Sequence, residues 1–262
     1  MTLSLAWVRR VNETEELVFA SDSRLRNGKA WDGCSKIFPL RRGDCALSFA
    51  GDTQFAYPML HQVVNAVDMF SKARNRAMDI GALRGHMVRI FNDMEHWIHD
   101  RPRSKAMREI PDIVFVFGGY SWATADFRIW TIYYKPSASA FTFHTPPLWH
   151  GNKLAMAGNA LPEFKSRLYR LLKGKGKTKK DGFDYEPFEV LRDMIRNKSD
   201  PAIGGAPALL KVYKHSNTMP YSVMWPDTAA GRATILGRPL LDYETTSYLR
   251  FDPDALQTIE NA

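Results

Sequence analysis

Two polar turns, at residues 12–15 (Asn-Glu-Thr-Glu) and 41–44 (Arg-Arg-Gly-Asp), each separate short runs rich in Val, Leu, Ile and Phe. That pattern closes antiparallel hairpins. The first hairpin takes residues 3–10 and 17–22. A turn centred on 12–15 pairs residues whose numbers sum to about 27, because antiparallel partners run in opposite directions. This register sets Thr2 beside residues 22–25, so Asp22 and Arg24 lie next to the start of the chain. The second hairpin takes residues 35–40 and 45–50. It brings the stretch 33–36 to the same end as the Ala50-Gly51-Asp52 corner. Gly51 is a position where a backbone N–H can face a reacting group.

The period then changes. Phe55, Met59, Leu60, Val63, Val64, Val67 and Phe70 follow helical spacing, with Asp52 or Thr53 as cap and Pro58 confining the regular helix to residues around and after it. Leu83, Met87, Ile90, Phe91, Met94, Trp97 and Ile98 mark a second helix. Strand-like runs follow at 110–121, 127–135, 140–145 and near 154, then a helix carrying Leu161, Phe164, Leu168 and Leu171. A Gly- and Lys-rich linker, a helix at 187–197 and strands at 208–215 and 221–225 come next. Strands, two helices, strands, two helices, strands predict an α+β chain: a four-layer αββα sandwich of two antiparallel sheets between helical layers. One domain spans residues 1–225, and residues 226–262 form a C-terminal extension packed on it or trailing from it.

With 45% hydrophobic residues the chain can bury a large core, and its net charge of +8 is concentrated: residues 165–181 hold eight Lys or Arg and one Asp. No stacking aromatics interleave with that tract. It reads as a solvated loop rather than a grip on nucleic acid. Cys34 and Cys45 are too few for a disulfide framework and read as reduced thiols. No apolar run reaches the ~18 residues of a membrane span, and the N-terminus lacks a signal-peptide pattern, so the expectation is a cytoplasmic protein without a membrane partner. His96 and His99 lack the HExxH pattern, and there is no GxSxG or Gly-rich phosphate loop. Neither a metal nor a cofactor is expected.

The chemistry-bearing feature is Thr2. Removal of Met1 leaves a hydroxyl and a free α-amine on one residue, a nucleophile with its own base.

The order of elements and six short strings resemble the proteasome β-subunit family of N-terminal nucleophile hydrolases, with its bacterial members HslV and Anbu, over roughly residues 2–225. The strings are Thr2 opening the first strand, Ala20-Ser21-Asp22-Ser23-Arg24, Lys36-Ile37, Ala50-Gly51, Gly118-Gly119-Tyr120 and the late run Asp200 to Gly205. The resemblance implies a threonine-type peptidase. Thr2 is its nucleophile, Asp22 and Lys36 are its charged pair, and Gly51 supplies the oxyanion N–H. Asp200 and Asn159 stand in the accessory positions, where the family usually carries Ser beside them and this chain has Ala157-Gly158-Asn159 and Ile203. Leu25, Cys34, Phe49 and Thr53 fall where the family lines its specificity pocket, implying an apolar side-chain preference. The substrate is then a peptide or unfolded protein, and the assembly a homo-oligomeric ring, with an ATPase partner left open. The alternative is a catalytically silent ring or scaffold subunit.

Overall fold

The computed structural model describes residues 2–99, 110–215 and 217–259. The first hairpin joins β1 (Leu3–Val11) to β2 (Thr14–Ser21). Its register is Ser4 to Ser21 and Val11 to Thr14, a sum of 25. The expected four-residue turn is thus a two-residue turn at Asn12-Glu13. Asn12 enters the left-handed region at φ 54°, where Asn is better tolerated than most residues, and this frees Thr14 and Glu15 to extend the strand. Short strands β3 (Leu25–Asn27) and β4 (Lys29–Trp31) pair with each other. The second hairpin, β5 (Ile37–Pro39) and β6 (Cys45–Gly51), has the expected register, Ile37 opposite Ser48.

Helix α1 (Thr53–Met69) starts at once, because the Asp52 side chain accepts from Gln54 N at 2.8 Å. Pro58 lies inside it rather than limiting its start. The cap anchors the first turn, and the helix continues through the proline although its ring removes one hydrogen bond and crowds the carbonyl four residues back. A short α2 (Ser71–Arg74) leads to α3 (Ile80–His96), capped by Asp79 on Gly81 N. Strands β7 (Ile113–Ser121), β8 (Asp126–Lys135), β9 (Ala140–His144) and β10 (Leu154–Gly158) precede α4 (Leu161–Gly174) and α5 (Glu186–Arg196). Strands β11 (Ala208–Tyr213) and β12 (Asn217–Trp225) follow. The region 226–262 adds β13 (Arg232–Ile235), β14 (Arg238–Pro239), β15 (Arg250–Asp252) and β16 (Gln257–Ile259).

Three buried clusters fix the layers. One sheet runs β10-β1-β2-β11-β12-β13-β14, with β15 also on β12; the other runs β5-β6-β7-β8-β9. Between the sheets lie Ala6, Phe19, Ala46, Val116, Ile129 and Leu210. Leu5, Trp7, Phe164, Phe188 and Leu191 join the first sheet to α4 and α5. Phe49, Leu60, Val63, Met87, Phe91 and Phe115 join the second to α1 and α3. Two sheets between two helical layers is the αββα arrangement. The tail belongs to it: Phe251, fully buried, touches the rings of Tyr185 and Phe188 at 5.0 and 5.3 Å. The basic tract is partly engaged as well, since Lys175 pairs with Glu189 and Lys177 with Glu186, both at 2.6 Å, across the α4–α5 joint.

Candidate active site

Thr2 immediately precedes β1 and is 2% exposed. Asp22, just past the end of β2, donates its N–H to Leu3 O at 3.3 Å and accepts Leu3 N on Oδ1 at 3.1 Å, so its carboxylate lies one peptide unit from Thr2. The same Oδ1 takes Lys36 Nζ at 2.8 Å, and Oδ2 takes Arg24 N and Gly204 N at 3.2 and 3.1 Å. Neither side chain of the Asp22–Lys36 pair has any solvent exposure. A buried carboxylate with four donors is fully compensated, which is what lets an ion pair persist there. Burial pulls the Lys36 ammonium below the ordinary lysine value, and Asp22 pulls it back up.

Gly51 reaches the same end of the sandwich through β6. Ser4 Oγ donates to Phe49 O at 2.9 Å, tying β1 to β6. Further along, Leu17, the partner of Val8, packs under Gly118, the partner of Ala46. The two strands therefore run antiparallel to each other across the sandwich. Two residues on from the Ser4–Phe49 contact, Thr2 and Gly51 come to the same end. Hydrogen-bond parity sets the direction of the Gly51 N–H. Tyr120 N to Asp44 O and Asp52 N to Asp112 O show that even-numbered β6 residues bond to β7. Phe49 N to Lys36 O shows that odd ones bond toward β5. Gly51 is odd and lies past the end of β5, so its N–H is directed beside Lys36 rather than into a ladder. Its φ of +119° and a built Cβ only 2.1 Å from Asp112 O restrict the position to glycine.

The other expected residues separate. Asp200 caps its own turn, accepting Ala202 N at 2.8 Å, while Ile203 is buried against the core containing Leu3. From that run it is Gly204 that reaches Asp22. Its O also accepts Ser23 N at 3.0 Å, and a Cβ there would lie 2.4 Å from the Arg24 guanidinium carbon. Asn159 is exposed at the bend after β10. Its neighbour Gly158 makes the close approach, at φ +135° with a built Cβ 1.8 Å from Thr2 O.

Of the pocket residues, Cys34 is half-buried with its N–H on Ser23 O at 2.9 Å; burial pushes its thiol up while Lys36 pulls it down. Leu25 packs against the cluster that contains Phe49. Phe49 itself is fully buried, with its ring 5.3 Å from Tyr57, so it stands behind any pocket rather than on its surface. Thr53 opens α1, half-buried. Tyr57, which no sequence pattern marked, donates to Ser35 O at 3.2 Å, and burial raises its phenol to about 12. Among the described residues no cluster of His, Cys, Asp or Glu has metal-site geometry, and no helix is long and apolar enough to cross a membrane.

In sequence the chain matches no family profile and no curated protein. In structure it is similar to Anbu from Hyphomicrobium sp. strain MC1, solved as a Gly-1 mutant, with a TM-score of 0.57 and 12% identity over 90% of this chain and 88% of that one. The chain thus shares the αββα fold of that Anbu structure.

Proposed function

We propose that this protein is a threonine-type peptidase whose nucleophile is Thr2 after Met1 removal. The observation that carries the reading is the solvent-free Asp22–Lys36 pair, hydrogen-bonded to the peptide N–H that follows Thr2. A charged pair this dry is costly to keep for stability alone, which supports a catalytic use for its cation.

In this reading the α-amine, which titrates at about 7.7–8.0 when unperturbed, accepts the hydroxyl proton as Thr2 Oγ attacks the substrate carbonyl carbon. Lys36 lowers the amine pKa and steadies the charge on Oγ. The Gly51 N–H receives the carbonyl oxyanion, an interaction of about 3–4 kcal/mol in comparable sites. Collapse breaks the C–N bond, the leaving amine takes the proton, and an ester remains on Thr2. Water then attacks the ester, giving up a proton to the amine, and the acid leaves with Thr2 restored. The family resemblance supports a peptide or unfolded-protein substrate and a homo-oligomeric ring.

Hydrolysis of fluorogenic peptide amides tests this. Thr2→Ala is expected to abolish turnover and Thr2→Ser to retain a measurable fraction. Equal turnover by Thr2→Ala and the parent protein rules the mechanism out.

A further inference from the structure

The strand that holds Gly158 against Thr2 has an unused edge. Val8 N bonds Lys153 O at 3.2 Å, so with the observed register the odd-numbered residues of β10 exchange hydrogen bonds with β1. Leu154, Met156 and Gly158 point their N–H and C=O groups the other way. Strand β10 ends the sheet, and no strand pairs with it on that side among the described residues. Those three residues line a cavity of about 480 Å³ that also takes in Ile113, Tyr133 and Trp149.

The cavity adjoins the proposed reaction centre on one definite side. Thr2 lies between the Asp22 side, on β2, and Gly158, on β10. Gly51 lies between the Lys36 side, on β5, and Ile113, its partner on β7. A carbonyl held between Thr2 Oγ and the Gly51 N–H therefore has Asp22, Lys36 and Cys34 to one side and this cavity to the other. With the pocket residues Leu25 and Cys34 on the first side, the segment leaving as the amine is directed to the second.

We propose, building on the threonine-peptidase reading, that the leaving-group segment of the substrate binds as an added β-strand on the free edge of β10. Outward pairs at alternate residues repeat every ~6.6 Å, the two-residue repeat of an extended peptide. The ligand is then an extended peptide chain, with apolar or aromatic side chains favoured next to Tyr133 and Trp149.

Met156→Pro tests the edge directly. It removes an N–H that points outward and leaves the bonds to β1 untouched, a position where an edge strand accepts proline. Met156→Ala controls for the side chain. Affinity is read by fluorescence anisotropy with a labelled octapeptide of alternating Val and Ser, in a Thr2→Ala background so that no cleavage is needed. The expected result is binding weakened about five-fold by Met156→Pro and changed less than two-fold by Met156→Ala. Unchanged affinity in Met156→Pro, or no binding by Thr2→Ala alone, overturns the proposal. Peptides N-methylated at alternate residues repeat the test on one unchanged protein. One of the two alternate sets must lose affinity, and equal affinity of both with the parent peptide overturns the proposal independently of how any variant folds. In the active protein, Met156→Pro should lower kcat/KM more for peptide than for arylamide leaving groups. Failure of Thr2 to react with a β-lactone, with peptide binding intact, would sink the peptidase reading and not the strand addition.

Discussion

Lys36 Nζ lies 2.8 Å from Asp22 Oδ1, and neither side chain has measurable solvent exposure. The two residues come from different sheets, Asp22 following β2 and Lys36 preceding β5, so the pair spans the sandwich at the end where the chain begins. Removing one partner strands the other. Lys36→Ala, Lys36→Met and Asp22→Ala should each cost about 3–5 kcal/mol in urea unfolding, and Lys36→Met, which keeps the volume without the charge, should lose peptide hydrolysis. An active Lys36→Met protein would separate the pair from the chemistry.

The lowered Lys36 pKa has a sign that can be measured. A lysine disfavoured as a cation in the folded state is protonated more readily in the unfolded chain, so between its folded pKa and the ordinary value near 10.4 the unfolded state binds more protons and stability rises with pH. Tyr57, raised to about 12, acts oppositely above its ordinary value near 10, where the unfolded chain ionises first and stability falls. Comparing unfolding free energies of the parent and Lys36→Met from pH 8 to 10 isolates the lysine. The parent should gain stability relative to the variant as pH rises, and parallel curves would contradict the assignment.

Gly158→Ala places a methyl carbon at the Thr2 carbonyl and asks for φ +135°, a region alanine rarely occupies. The expected cost is about 1–3 kcal/mol, with β-lactone acylation slowed at least ten-fold because Thr2 must shift. Normal acylation in a destabilised protein would show that Gly158 serves the fold alone.

Phe251 ties the last strands to α5, so Phe251→Ala should cost about 3–5 kcal/mol in a single cooperative transition. A separate low-temperature transition for the tail would contradict its place in the shared core.

Much of this was legible in the sequence because it depends on local pattern. Runs rich in β-branched and aromatic residues gave the strands around Trp7, Phe49 and Phe115, and the 3.6-residue spacing gave the helices around Val63, Met87 and Phe164. What escaped depends on single backbone conformations or on distant partners. The positive φ of Asn12 shortened the first turn by two residues and moved the whole register. Gly204 N finds Asp22 across 182 positions of sequence, and no local signal marks which atom of that loop does so. Ile203, in place of a hydroxyl, packs into the core, so the late loop holds the site through its backbone. The tail strands are short and polar, and they become visible only once β12 offers them an edge.

The most direct measurement is intact mass of the purified protein before and after incubation with a β-lactone, with the modified residue located by peptide mapping. The expected result is a chain lacking Met1 and one added lactone acyl group on Thr2, absent from Thr2→Ala. A chain that retains Met1, or one that lacks Met1 and gains no mass, contradicts it and leaves a silent subunit with the hydrolase fold.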